Sequence, residues 1–562
     1  MKGGGGGGRV GVVARWTLPS FASLSLLVIL YLLWMDAWRF LLDSDTGWHI
    51  RTGELIAATG RVPREDPFSH TLPGAPWFAW EWLADLGMAR LHNVAGLGGV
   101  VLGSLVVLLL AYALLQALMR QWGADPLIAS GLTLLAALCS IVHWLARPHL
   151  LSILLLVIWL WMVEGYRRRG KWWIYAIPVL ILLWANLHGA FVITLPILLI
   201  YAVGEWGEQW LRGERQWRRL LPYLVAAGGS ALAALGTPFG FGLYRHLWQY
   251  LQDEELLRSI QEFQSPDFHT LDGKLIEILL LLGAGAVMLA LRRGRLVELG
   301  LYLLWFHLTL QSQRHVTLAA VTLTPIIAEQ ATWAVREVVK QWVASAGKGR
   351  RLLRALVGWY RGILAIDRQL TGALVLVIVL AALVGVAGTG AADKLLSARF
   401  SPERFPVEAA SVLLRESLPD KGYAHDQFGG YLIYRLSPRY RVFVDGRSDF
   451  YRQGTILADM QKVVGVSPEW ATKLDQYGIQ WLLLRRDEPL SLVARLSGDW
   501  VLLHEDKVAQ ILIRADLRPP ASRQSDLSDP KDGKSEREAR NAPSIDEKEK
   551  NRRASAARIR QE

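Results

Sequence analysis

Apolar residues in this chain gather into uninterrupted runs of about twenty, not into the 3.6- or 2-residue alternation of water-soluble helices and strands. The runs lie at 16–42, 94–119, 126–146, 149–165, 172–187, 190–206, 220–237, 275–291, 296–312, 316–335 and 371–391. A helix of that length crosses a hydrocarbon core of about 30 Å. The pattern therefore predicts a multi-pass α-helical membrane protein with about eleven transmembrane helices. The first run is longer than a signal-peptide core and lacks a small-residue cleavage site, so it reads as an uncleaved anchor.

Past 392 the pattern changes. Helix-like periodicity at Val407–Leu418 and near Trp470–Tyr477 alternates with β-like runs at Tyr440–Val444, Ile479–Leu484, Trp500–His504 and Val508–Ile513. This predicts a small C-terminal α/β soluble domain over 392–516. Residues 517–562 are Ser, Asp, Lys, Glu and Arg with almost no large apolar side chain, and 1–15 open on a glycine run. Both are expected to stay flexible, because they bury too little surface to offset ordering entropy.

Charge gives the orientation. Arg167, Arg168, Arg169 and Lys171, then Arg212, Arg215, Arg218 and Arg219, then Arg292, Arg293 and Arg295, and finally Lys348, Arg350, Arg351 and Arg354 all fall in one alternate set of loops. By the positive-inside rule those loops are cytoplasmic, with the N-terminus. The long first outer loop 43–93, the turns at Arg147, Asn186 and Arg314, and the C-terminal domain fall on the other side. The net charge of +12 is explained by this loop bias, and the basic residues form no single amphipathic face, so no nucleic-acid partner is expected. Mean hydropathy is only +0.24 because the C-terminal part dilutes the spans. The single cysteine, Cys139, excludes disulfide frameworks and Cys-ligated metal.

Reactive side chains cluster at the outer ends of the runs. Asp43-Ser44-Asp45 ends the first run and His49 follows. Arg147-Pro148-His149 joins the third and fourth, Asn186-Leu187-His188-Gly189 ends the fifth, and Gln313-Arg314-His315 joins the ninth and tenth. Polar caps on helix ends account for part of this bias. Together, however, the residues suit group transfer at a membrane surface. A carboxylate at an anchored helix end can take a proton from an attacking hydroxyl. Arg and His can hold a phosphate leaving group, whose charge needs stabilising. The Asp43/Asp45 pair also offers oxygen ligands to a divalent cation, Mg or Mn. In the C-terminal part, Gly429-Gly430-Tyr431 and Asp445-Gly446-Arg447 read as turn chemistry, and His425 and Asp426 as a polar loop.

With DSDTGWHIRTGE, RVPREDPFSHT, NLHG at Asn186–Gly189 and VDGRSDFY at Val444–Tyr451, the chain resembles the GT-C class of membrane glycosyltransferases, within it a bacterial group whose substrates are mostly unassigned. The resemblance implies a polyprenyl-phosphate-linked sugar as donor and a glycan, lipid or protein acceptor in the envelope. It also implies location in a bacterial inner membrane and a first-loop base, here Asp43 or Asp45. A transporter of lipid-linked saccharide and a non-enzymatic envelope assembly protein remain as alternatives. The first would place ionisable residues or broken helices near the midplane, where this chain has little of either.

Overall fold

The computed structural model describes residues 11–214, 216–253, 260–345, 350–387 and 392–517. Residues 518–562 of the charged tail, the N-terminal glycine run, Arg215 and Lys348 of the basic loops, and residues 388–391 of the last apolar run lie outside the described residues.

Each predicted run carries a helix. Among the described residues, six helices are long and apolar enough to cross a membrane: Val13–Met35, Trp82–Gln121, His149–Arg169, Gly189–Leu211, Leu271–Arg292 and Gln313–Ser345. The other runs are shorter, with helices at Pro126–Cys139, Ile177–Ala185, Leu221–Ala233, Val297–Gln311 and Ala373–Ala387. At 9 to 15 residues these fall below the roughly 20 of a straight crossing. Local chemistry sets several ends. Ser20 and Ser23 form a reciprocal cap, Asp125 caps Leu127 N–H ahead of Pro126, and Thr270 caps Gly273 N–H. Gly170 closes His149–Arg169 at φ +62°. The Trp82–Gln121 helix bends at Ala95–Gly96, where Gly96 takes φ +61°, a value glycine adopts without steric cost.

The arginines of the basic loops fold back onto glutamates. Arg167 bridges Glu208 at 2.7 Å, Glu298 at 3.0 Å and Glu164 at 3.3 Å, while Arg168 and Arg295 both reach Glu329. Arg167, Glu164 and Glu298 are nearly inaccessible to solvent. This network ties four helices together at the end of the bundle away from Asp43 and Arg147.

The C-terminal part builds a four-stranded sheet. Strands β1 (Gly422–Ala424), β2 (Trp481–Arg485), β3 (Trp500–Glu505) and β4 (Ala509–Arg514) lie in the order β1-β2-β4-β3. β1 and β2 are parallel, with Gly422 opposite Trp481, and β4 is antiparallel to both neighbours. Helices Val407–Glu416, Asp426–Leu436 and Pro489–Leu496 pack around it. Two sequence expectations fail here. Tyr440–Val444 is not a strand: its one ladder contact is the bridge from Val442 to Ser69. Gly429-Gly430-Tyr431 lies inside a helix, not in a turn. Glycine is needed there for close approach, because a Cβ on Gly430 would overlap the Ser44 carbonyl and one on Gly47 would overlap the Gly430 carbonyl.

The first outer loop also departs from expectation. Aromatics and scattered charge suggest short helices lying in the headgroup layer. Instead, helix Asp45–Thr59 is gripped between Trp82–Gln121 and Asp426–Leu436, and Asp45 to Ile50 are all buried. Below it, Arg447 donates to Asp445 Oδ1 and Oδ2 at 2.8 and 2.7 Å and to Asp66 Oδ1 at 2.8 Å. Tyr451 Oη donates to Asp445 at 2.7 Å. The Arg447 guanidinium lies over Trp77 and Phe450, 4.6 and 5.0 Å from the ring centroids. The Asp-Gly-Arg motif is thus a buried clasp between the first loop and the C-terminal part.

Candidate functional site

The short helix Ala37–Leu41 before Asp43 and helix Asp45–Thr59 after it turn the chain so that both carboxylates of the D-S-D face Arg147. Arg147 Nη1 lies 2.7 Å from Asp43 Oδ2 and 3.1 Å from Glu262 Oε1, and Nη2 lies 3.2 Å from Asp45 Oδ2. The other Glu262 oxygen accepts from Arg314 Nε at 2.9 Å, and Arg314 Nη1 donates to Tyr250 Oη at 3.3 Å. One glutamate carboxylate is therefore held between two guanidiniums, Arg314 from the turn before Val316 and Arg147 from the turn before His149. The cluster opens into a cleft of about 1070 Å³. Asp43, Asp45 and Glu262 line its membrane side, and Arg404, Asp426, Gly446, Arg485 and Lys507 line the C-terminal side.

A second group lies deeper. Asp85 Oδ1 is 2.6 Å from His49 Nδ1, and the far His49 nitrogen points to Glu81, 3.8 Å away. The other Glu81 oxygen is 3.5 Å from His188 Nε2, whose Nδ1 pairs with Ser152 Oγ at 2.9 Å. His49 and Asp85 are each 1% exposed, and His49 Nε2 has no hydrogen-bond partner. Trp184 donates to Ser152 at 2.7 Å, closing the chain on the membrane side.

Burial decides the protonation states. Asp45 is pushed up to about 7 by burial and by the charge of Asp43, against the pull of Arg147. Glu81 is pushed up to about 8, again first by burial, with Arg147 opposing. Burial and the nearby Arg147 hold His49 well below its ordinary value, and burial with His149 does the same to His188. Burial raises Glu262, but Arg147 and Arg314 outweigh it and keep this carboxyl below the usual range. The site thus holds an ionised Glu262 between cations, two neutral imidazoles, and two carboxyl groups that titrate near neutral pH.

The raised values carry a stability consequence. A folded-state pKa above the unfolded value gives stability that is complete below the unfolded value and lost as pH rises through the folded one. For Glu81 the window runs from its ordinary 4.5 up to about 8. Unfolding followed by intrinsic fluorescence should show the melting temperature falling across this window, with a shallower fall in Glu81→Gln. Parallel slopes for the two proteins would mean that Glu81 is ionised throughout.

Of the residues expected from sequence, Asp43, Asp45, Arg147 and Arg314 meet in one cluster, and His49 and His188 converge on Glu81. The His149 ring stands between His143 and His188, and its Nε2 is spent on the His143 carbonyl at 2.9 Å. Asn186 is used structurally: its Oδ1 accepts from Trp82, and its amide donates to Leu182 and Gly236 carbonyls. His315 bonds back to the Leu308 carbonyl at 3.2 Å. His425 caps the Asp426–Leu436 helix. Sequence reasoning missed Glu81, Asp85 and Tyr250 and left Glu262 unassigned. An acid flanked by tryptophans, Trp80-Glu81-Trp82, is the one local signal that marked Glu81.

Asp43 and Asp45 do not fit a divalent cation as they stand. The Arg147 guanidinium already occupies the place between them, and a Cβ on Gly446 would overlap Asp45 Oδ1, so that oxygen faces backbone. Among the described residues the group with metal-like spacing is Glu408, His504 and Asp506, in the C-terminal part.

No family model and no curated protein matches this chain. Solved structures do. The archaeal oligosaccharyltransferase AglB from Archaeoglobus fulgidus, in complex with an inhibitory peptide and a dolichol-phosphate, is similar over 89% of this chain and 75% of its own, at 14% identity and a TM-score of 0.51. The fold is of the GT-C class. ArnT from Cupriavidus metallidurans bound to undecaprenyl phosphate is similar over 88% of this chain and 99% of its own, at 17% identity and a TM-score of 0.45. The resemblance read from the sequence motifs is matched, in the comparison with AglB, by the arrangement of the helices.

Proposed function

We propose that this protein is a glycosyltransferase that moves a sugar from a polyprenyl-phosphate donor to a hydroxyl of an envelope acceptor at the outer face of the membrane. The observation that carries this reading is the Glu262 carboxylate held between Arg147 and Arg314 at the mouth of the cleft. An anion gripped by two guanidiniums stands where a lipid phosphate would be gripped, and arginine forks suit phosphate as they suit carboxylate. AglB, the neighbour of like fold, is in complex with a dolichol-phosphate. The basic loops lie at the opposite end of the bundle, which supports an outward-facing cleft.

In the proposed reaction the donor phosphate displaces Glu262, and the acceptor enters through the cleft. Asp45 takes the hydroxyl proton as the acceptor oxygen bonds to the anomeric carbon. The bond from that carbon to the phosphate oxygen breaks, and the electron pair leaves on polyprenyl phosphate, stabilised by Arg147 and Arg314. Asp43 holds Arg147 in register. No step requires a metal at Asp43 and Asp45.

Native mass spectrometry of the purified protein with added polyprenyl phosphate tests the grip. Wild type should retain it in preference to ordinary phospholipids, and Arg314→Ala should weaken retention by about tenfold, the worth of a charged hydrogen bond. Glu262→Gln should tighten it by removing the competing anion. Equal retention of polyprenyl phosphate and phospholipid by wild type would remove the donor from this reading.

A further inference from the structure

Helix Arg350–Asp367 has no counterpart among the apolar runs, and it lies at the end of the bundle away from the cleft. It is anchored there by Tyr360 Oη, which donates to Asp125 at 2.7 Å in the turn before Pro126, and by Asp367, which accepts from Phe21 N–H at 2.6 Å. Its packing partner is the far end of helix Val316–Ser345.

At 100° per residue the helix has three sides. Leu353, Val357, Tyr360 and Leu364 are half-buried and face the bundle. Leu352, Leu356, Trp359 and Ile366 fall within about 80° of one another on a second side and are exposed, Leu352 by 68% and Trp359 by 67%. Arg351, Arg354 and Arg361 occupy the third side, also exposed, with Arg368 just beyond. Asp367, the helix's one acid, is buried on its bond to Phe21.

Such a helix does not span a bilayer, since its third side is cationic, and it does not belong in bulk water, since its second is Leu, Trp and Ile. Exposed tryptophans at the same end of the bundle, Trp206, Trp210 and Trp217, mark the level at which indoles meet headgroups. We propose that helix Arg350–Asp367 lies in the headgroup layer of the membrane leaflet opposite the cleft. Its Leu/Trp/Ile side sinks to the acyl boundary, and its arginines bind anionic lipid phosphates. The occupant is a lipid surface because the basic side runs alongside the apolar one, as it does in interfacial helices that prefer anionic lipid. The inference does not depend on the transfer reaction.

The full chain in lipid nanodiscs tests it. Cys139 is buried, so a fluorophore can be attached at Leu356→Cys or at Arg354→Cys alone. Lipids brominated in the acyl chain should quench the Leu356 probe about twofold more than the Arg354 probe. Replacing part of the phosphatidylcholine with phosphatidylglycerol should strengthen the difference, and salt should reduce it. In a Leu356→Cys protein that also carries Arg351→Gln and Arg361→Gln, the phosphatidylglycerol effect should shrink while the probe stays labelled and folded. Equal quenching at the two positions would overturn the proposal. So would a Leu356 probe that is shielded in native membranes yet water-exposed in lipid-only discs, because a protein partner would then be the occupant.

Discussion

Asp45→Asn is expected to reduce sugar transfer by about 100-fold or more while leaving lipid-phosphate retention intact, because a positioned general base contributes roughly 10²–10⁴-fold to rate. Asparagine keeps the size of the side chain and its place beside Gly446 and Arg147 but has no site for the incoming proton. The measurement is single-turnover consumption of whichever polyprenyl-phosphate sugar the wild type retains, over a range of pH. Wild-type rates should climb through about pH 7 as the Asp45 carboxyl ionises, and the residual rate of the variant should lose that limb. An unchanged rate in Asp45→Asn would remove Asp45 as the base and leave Asp43, 2.7 Å from Arg147, as the carboxylate to test next.

The second large effect is on stability. Arg447→Met should cost about 3–5 kcal/mol, the range for removing one partner of a buried ion pair and leaving the other charged. Two carboxylates, Asp66 and Asp445, would then lie buried without their cation. Limited proteolysis should release a C-terminal fragment from the variant before the bundle melts, since Arg447 joins the first loop to that region. Adding Asp66→Asn and Asp445→Asn should restore part of the loss, because the unpaired charges rather than the missing contacts carry most of it. A melting temperature for Arg447→Met equal to that of wild type would show that the clasp is dispensable.

How much of this was legible beforehand depends on whether a feature is local. The helices of the bundle are local, because an apolar run is its own signal. Helices at Val407 and Trp470 and the strands near Trp481, Trp500 and Ala509 also follow from short-range periodicity. Tyr440–Val444 misled because an apolar, β-branched stretch packs as well in irregular backbone, once the Phe68 carbonyl and the His70 N–H supply the hydrogen bonds to Val442. Arg147 and Arg314 stood out in the sequence as cations in the turns opposite the basic loops. Their partner was not: Glu262 is 115 residues from Arg147, and no pattern in the sequence pairs them. Glu81 was hidden for the same reason, since its raised pKa comes from burial that only the assembled first loop creates. Asn186 and His315 looked equivalent to His188, and what separates them is the neighbours they meet.

The two-arginine clamp has a bearing on the order of events in a catalytic cycle. A sugar phosphodiester brings one negative charge to Arg147 and Arg314, whereas the monoester left after transfer takes on most of a second near neutral pH. In the proposed reaction the clamp would therefore grip the spent carrier harder than the fresh one, making eviction the slow stage of turnover. Glu262, tethered by its own chain at high effective concentration, would in that reaction be the competitor that drives the carrier out and resets the site.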